Sequence, residues 1–79
     1  MHKEIDIDIG ALIRHRLKEN GQSVSWLARK VFQDRSNFNR KLKNNHIDIQ
    51  LLMRISRVLN VDYFVKLSEE YQKTKTQES

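Results

Sequence analysis

Five times along this 79-residue chain, an aspartate or serine stands directly before a short run with apolar residues three and four positions apart. Such a pair of signals marks a helix start and one buried stripe. The cap's side-chain oxygen accepts a first-turn N–H, and the spacing lines the apolar residues along one face. Asp8 precedes a helix expected over Ile9 to Asn20, with Ile9, Leu12, Ile13 and Leu17 as its stripe. Ser23 precedes a second that buries Val24, Leu27, Ala28 and Val31. Asp34 precedes a third, Arg35 to about Lys43, whose only evident core residues are Phe38 and Leu42. Asp48 precedes a fourth, Ile49 to Leu59, with Ile49, Leu52, Ile55 and Leu59 inward. Asp62 precedes a fifth that carries Tyr63, Phe64, Leu67 and Tyr71. Stops separate them: Gly21, which takes a left-handed conformation without a Cβ penalty, the turn Phe32 to Asp34, the loop Asn44-Asn45-His46, and Asn60-Val61. There is no proline to break these runs. The fold class expected is all-α, a compact bundle of about five short helices.

A chain of this length makes one domain, which buries only about 60% of its unfolded surface. The divisions expected are an N-terminal arm at 1–8, a helical domain at 9–71 and a polar, fraying tail at 72–79. In the arm Ile5, Ile7 and Ile9 alternate with Asp6 and Asp8, a strand period that fits a pairing segment or an extended lead-in. Without cysteine, no disulfide or thiolate site reinforces the core. His2, His15 and His46 lie far apart, so neither metal nor cofactor is expected. No apolar run approaches the ~20 residues that span a bilayer, and nothing resembles a signal peptide, so a cytoplasmic protein is expected.

The charge is concentrated. Between Ser23 and Asn45 six bases (Arg29, Lys30, Arg35, Arg40, Lys41, Lys43) face one acid, Asp34, whereas the flanking segments balance at four against four and five against five. The whole net charge of +5 therefore belongs to the second and third helices. A basic patch on one element is the footprint of a polyanion partner, most often nucleic acid. On a helical wheel, Phe38 and Leu42 turn the third helix so that Ser36, Arg40 and Lys43 lie opposite the core, flanked by Asn37 and Asn39, with Arg35 at the N-terminal end. A solvated face is polar by default, and bases near a helix C-terminus favour the macrodipole. Here, however, every member can hydrogen-bond and none is acidic. Arg suits guanine, Asn suits adenine and Ser adapts, so such a face can read base edges as well as adhere. A short buried helix, a tight turn and a polar second helix form a helix-turn-helix.

Three stretches carry a family resemblance: Ser23-Val24-Ser25-Trp26-Leu27-Ala28-Arg29-Lys30-Val31, then Arg35-Ser36-Asn37-Phe38-Asn39-Arg40, then Ile49 through Val61 with its Leu59-Asn60-Val61 ending. Together they resemble the phage-repressor and Cro-type (XRE) helix-turn-helix family over roughly Ile9 to Phe64. The resemblance implies a lambda-repressor-like domain in which Arg35, Ser36 and Arg40 approach base edges. Asn37 and Asn39 complete the base-contact candidates. Ser23, Lys43, Asn44 and Asn45 resemble phosphate contacts, and Lys41 joins them as a neighbouring cation. Members commonly dimerise on palindromic operators, which implies a homodimer on double-stranded DNA. Two departures stand out. Glycine is frequent where Phe32 sits, so this turn is strained or built differently, unless Phe32 adds to the core. Leu42 and Asn44 replace an acidic residue and a glycine after the recognition helix; Asn44 is the next best left-handed residue, and Leu42 gains core contact.

Trp26 lies off its helix's stripe and is expected to lie across a neighbouring helix, with partner contact as the alternative. Phe64 and Leu67 are expected in the core, and Tyr63 and Tyr71 are candidates for a dimer surface. No nucleophile, paired carboxylates or glycine-rich phosphate loop supports catalysis, so no enzyme and no small-molecule ligand are expected. The function expected is a sequence-specific double-stranded DNA-binding regulator of transcription, a repressor or an activator. The alternative is a helical interaction module, antitoxin-like or accessory, whose basic face meets an acidic protein. RNA binding is weaker, because no aromatic platform beyond Trp26 accompanies the basic face.

Overall fold

The computed structural model describes residues 7–78, with side chains described as far as residue 73. Five helices follow one another: α1 (Ile9–Glu19), α2 (Val24–Lys30), α3 (Arg35–Asn44), α4 (Ile49–Leu59) and α5 (Tyr63–Glu78). Each begins where its cap sets it. Asp8, Ser23, Asp34 and Asp48 accept the N–H three residues on, from Ala11, Trp26, Asn37 and Leu51. Asp62 accepts from both Phe64 and Val65. Each such cap is worth about 1 kcal/mol, a large share of the stability of a domain this small.

One core joins the helices: Ile9, Ile13 and Leu17 from α1, Leu27, Ala28 and Val31 from α2 and its end, Phe38 and Leu42 from α3, Leu51, Leu52, Ile55 and Leu59 from α4, and Tyr63 from α5. The α4 stripe departs from expectation. Ile49 is 69% exposed, and Leu51 takes the inward place. With Leu51, Leu52, Ile55 and Leu59 facing in, Ile49 stands roughly 100° from the centre of the stripe. On α5, Tyr63 turns inward and is buried, so it is no free dimer surface. Phe64 is 36% exposed rather than core, and Leu67 is half-buried. The Tyr63 hydroxyl has no hydrogen-bond partner among the described residues, and burial raises its pKa above the ordinary 10.0; nearby Arg16 opposes that rise and Glu19 adds to it. Tyr71 stays exposed, and Trp26 packs partly buried against the core.

Of the expected arm, residues 1–6 lie outside the described residues; Ile7 packs against the core and Asp8 caps α1. α5 continues through the polar segment at Gln72, where a tail was expected, and runs to Glu78. No helix among the described residues is long and apolar enough to cross a membrane.

Candidate nucleic-acid interface

α3 has only two buried side chains, Phe38 and Leu42, both fully enclosed. Truncating an enclosed Phe costs about 3–5 kcal/mol, so this pair fixes how the helix is turned. Arg35, Ser36, Asn37, Asn39, Arg40 and Lys43 are all exposed, as the wheel requires. The five base-contact candidates thus stand on one helix, four of them in its first turn and a half.

The far end of α3 is held by a contact that periodicity did not reveal. Gly10, in the first turn of α1, lies so close to α3 that a Cβ there would overlap the Leu42 carbonyl. Its N–H donates to Asn45 Oδ1 at 2.9 Å. A glycine inside an otherwise helical apolar pattern is a signal of close backbone approach, and it was the available clue. This clamp sets the C-terminal end of α3 against the N-terminal end of α1. Asn45, not Asn44, is the left-handed residue (φ 55°), and Asn44 is the last residue of α3. A side-chain amide that both tolerates a positive φ and reaches a backbone donor explains asparagine here.

The phosphate-contact candidates are distributed over two elements. Ser23 opens α2, with its Oγ accepting from the Trp26 N–H at 3.0 Å. Lys43, Asn44 and Asn45 are exposed at the end of α3. Lys41 is half-buried and donates from Nζ to Gln33 Oε1 at 3.1 Å, which ties α3 back to the turn. An ammonium has three donors, so two remain for another acceptor.

The electrostatics favour an anion. On α1, Arg16 pairs with Glu19 at 4.0 Å, and His15 Nε2 lies 3.8 Å from the same carboxylate. The bases of α2 and α3 face no carboxylate among the described residues, and Asp34 spends one oxygen on its cap. Lys30 instead lies 5.7 Å from the centroid of the Trp26 ring, one turn away on α2. Charges that are exposed and unneutralised attract phosphate at long range, and the attraction is screened by salt.

The turn between α2 and α3 is built as a glycine turn without glycine. Phe32 has φ 59° and is 85% exposed, so it adds nothing to the core. Val31 on one side is fully buried, and Asp34 on the other caps α3. The two helices are thereby held in the arrangement that presents the second as a free polar face. The family model of the Cro/C1-type HTH DNA-binding domain matches residues 13–63, well over half of the chain. The chain belongs to the Cro/C1-type helix-turn-helix family. Neither a curated protein nor a solved structure matches it. As a Cro/C1-type domain it is a DNA-binding module, and α2 and α3 are its two-helix motif.

Proposed function

We propose that the protein is a sequence-specific regulator of transcription that lays α3 in the major groove of double-stranded DNA. The observation that carries this is the exposed face of α3, which combines six hydrogen-bonding side chains, no acid, and cations that no carboxylate among the described residues neutralises. Arg35, Ser36, Asn37, Asn39 and Arg40 contact base edges. Lys43, Asn44 and Ser23 hold phosphates, joined by the spare donors of Lys41 and the Asn45 amide. Phosphate contacts fix register, and the base contacts choose the sequence. Regulation follows from occupancy, since bound protein blocks or recruits polymerase. Two copies bind a two-fold symmetric operator with half-sites about 34 Å apart.

Selection of tight binders from randomised duplexes near physiological salt tests this, run beside Arg40→Ala. A motif enriched by the native chain and lost or relaxed in the variant is the expected result. Arg40→Ala is expected to cost about 1–3 kcal/mol on the selected duplex and less on unrelated ones. Lys43→Ala is expected to weaken both alike and to lower the salt slope by about one. Bulk, salt-sensitive binding without enrichment would refute base reading and favour a module that docks on an acidic protein.

A further inference from the structure

Phe32 bears two costs at once, and nothing among the described residues offsets either. Its backbone is left-handed, which a Cβ resists, and its ring lies open, which forgoes the burial that an aromatic side chain gains. Strain of this kind clusters where a ligand is bound, since contact there offsets what folding alone does not. The place of the ring is as unusual as its conformation. The other large apolar side chains exposed among the described residues, Ile49, Met53, Phe64, Val65 and Tyr71, stand on α4 and α5. Phe32 stands apart from them, on the basic two-helix motif. We propose, on the reading that α3 lies in the major groove, that the Phe32 ring packs on the C5-methyl group of a thymine there. Phe32 thus adds a base to the sequence that α3 reads.

Position, surroundings and chemistry each favour DNA over another occupant. Phe32 precedes Arg35, the first residue of α3, by three residues, which places their Cα atoms at most about 11 Å apart. That is about three base-pair steps of ~3.4 Å, so a duplex that holds Arg35 in its groove comes within reach of the ring. The turn is also tied to the reading helix. Gln33 accepts from Lys41 Nζ, and Asp34 caps α3, so the base of the Phe32 side chain is fixed relative to that face. The surroundings are cationic. Arg29, Lys30 and Arg35 stand within three residues of Phe32, and none has an ion pair among the described residues. The acid of that stretch, Asp34, spends an oxygen on its cap. The core of a protein–protein contact is depleted in charge, whereas a polyanion is drawn to these bases. Within the major groove, the thymine C5-methyl is the apolar group that a base edge presents, and phenylalanine is among the side chains that suit it. Glycine at this place would relax the turn and read nothing, so a contact made by the ring accounts for the strained residue.

The test uses the full chain and the duplex selected from the randomised pool. Its thymines are replaced one at a time by deoxyuridine, which pairs alike and lacks the methyl group. The native chain is expected to bind about fourfold more weakly when the contacted thymine is exchanged, the effect of leaving one methyl group in water. That thymine lies within about three base pairs of the position that Arg35→Ala relaxes. Phe32→Gly and Phe32→Asn both accept a positive φ and keep the turn, and thermal unfolding checks that they fold. Each variant is expected to bind the thymine duplex as weakly as the native chain binds the exchanged one, and to be indifferent to the exchange. Unrelated duplex is bound alike by all three, because no charge has changed. A selected motif with no thymine at which the variants lose the preference would overturn the role of Phe32 and leave base reading by α3 intact. Variants that weaken every duplex equally would do the same, since the ring then meets sugar or backbone rather than a base. A native chain that enriches no motif at all would overturn both.

Discussion

The ends of α1 and α2 share a backbone but not a residue. After α1, the Gln22 N–H reaches back to the Leu17 carbonyl at 2.9 Å and the Gly21 N–H to Lys18 at 3.1 Å, with Gly21 at φ 69°. After α2, the Gln33 N–H reaches the Ala28 carbonyl at 2.8 Å and the Phe32 N–H reaches Arg29 at 3.3 Å, with Phe32 at φ 59°. Both are the Schellman pattern, which satisfies orphan carbonyls through one left-handed residue. Gly21 occupies that place at no steric cost. A residue with a Cβ loses roughly 1–2 kcal/mol there, and Phe32 recovers none of it by burial. The difference teaches that the turn is imposed by its surroundings. Val31 must enter the core and Asp34 must cap α3, and the residues between them follow. α3 and α4 end on Asn45 (φ 55°) and Asn60 (φ 56°), so the same geometry is met by three residue types in one small domain.

The largest effect is expected at Asn45, where the left-handed residue does two jobs. Asn45→Ala removes the side chain that tolerates the conformation and leaves the part-buried Gly10 N–H without its acceptor. A loss of about 2–4 kcal/mol is expected from the two together, read as a lower midpoint in urea unfolding. A loss below ~1 kcal/mol would mean that the clamp between α1 and α3 contributes little and that Asn45 resembles the other ends. Gly21→Ala comes next. Nothing lies within 4 Å of the added Cβ, so only the backbone resists, and about 1–2 kcal/mol is expected.

These ends also mark where the fold was legible. The caps were readable because a short polar side chain before an apolar run has one efficient use, and Asp8, Ser23, Asp34, Asp48 and Asp62 all serve it. Gly21 and Asn60 were readable as stops for the same reason. The Phe32 side chain by itself pointed away from its conformation, since a bulky aromatic favours neither a positive φ nor exposure; only the resemblance, which has glycine there, marked the turn as strained. Asn44 and Asn45 are adjacent and equally suited to the left-handed place, and only the tertiary bond to Gly10 distinguishes them. Ile49 and Phe64 show the limit of periodicity. Each is apolar at the start of a helix, where a stripe's edge is set by which neighbour is present to cover it. The exposed α3 face, by contrast, followed from two residues alone, because Phe38 and Leu42 leave the helix no other way to turn.

Phe32→Gly carries the opposite sign to Gly21→Ala. Glycine relieves the left-handed strain but widens the freedom of the unfolded chain, which takes back ~0.4–1 kcal/mol. A net gain of about 0.5–1 kcal/mol is expected, visible as a midpoint higher by roughly 2–6 °C in thermal unfolding of a domain this size. The gain should appear without any change in the affinity of the α3 face for non-specific duplex, because Phe32 contributes no charge. A destabilised Phe32→Gly would break the comparison, for it would show that the exposed ring has a partner within the chain that offsets its backbone cost.

The smallest effect is expected at Asn60, and it sharpens the comparison most finely. Asn60 shares the left-handed place with Asn45, and its N–H and that of Val61 both return to the Ser56 carbonyl. Among the described residues its side chain makes no tertiary hydrogen bond of the Asn45 kind, so glycine loses little by replacing it. The strain relieved is smaller than at Phe32, because asparagine already tolerates a positive φ, and the gain is opposed by the same unfolded-state entropy. Asn60→Gly is therefore expected to lie within about 0.5 kcal/mol of the native chain in urea unfolding, whereas Asn45→Gly still loses the Gly10 bond and falls by about 1–2 kcal/mol. Equal effects at the two asparagines would show that the left-handed backbone alone, and not the link from α3 to α1, sets the stability of α3.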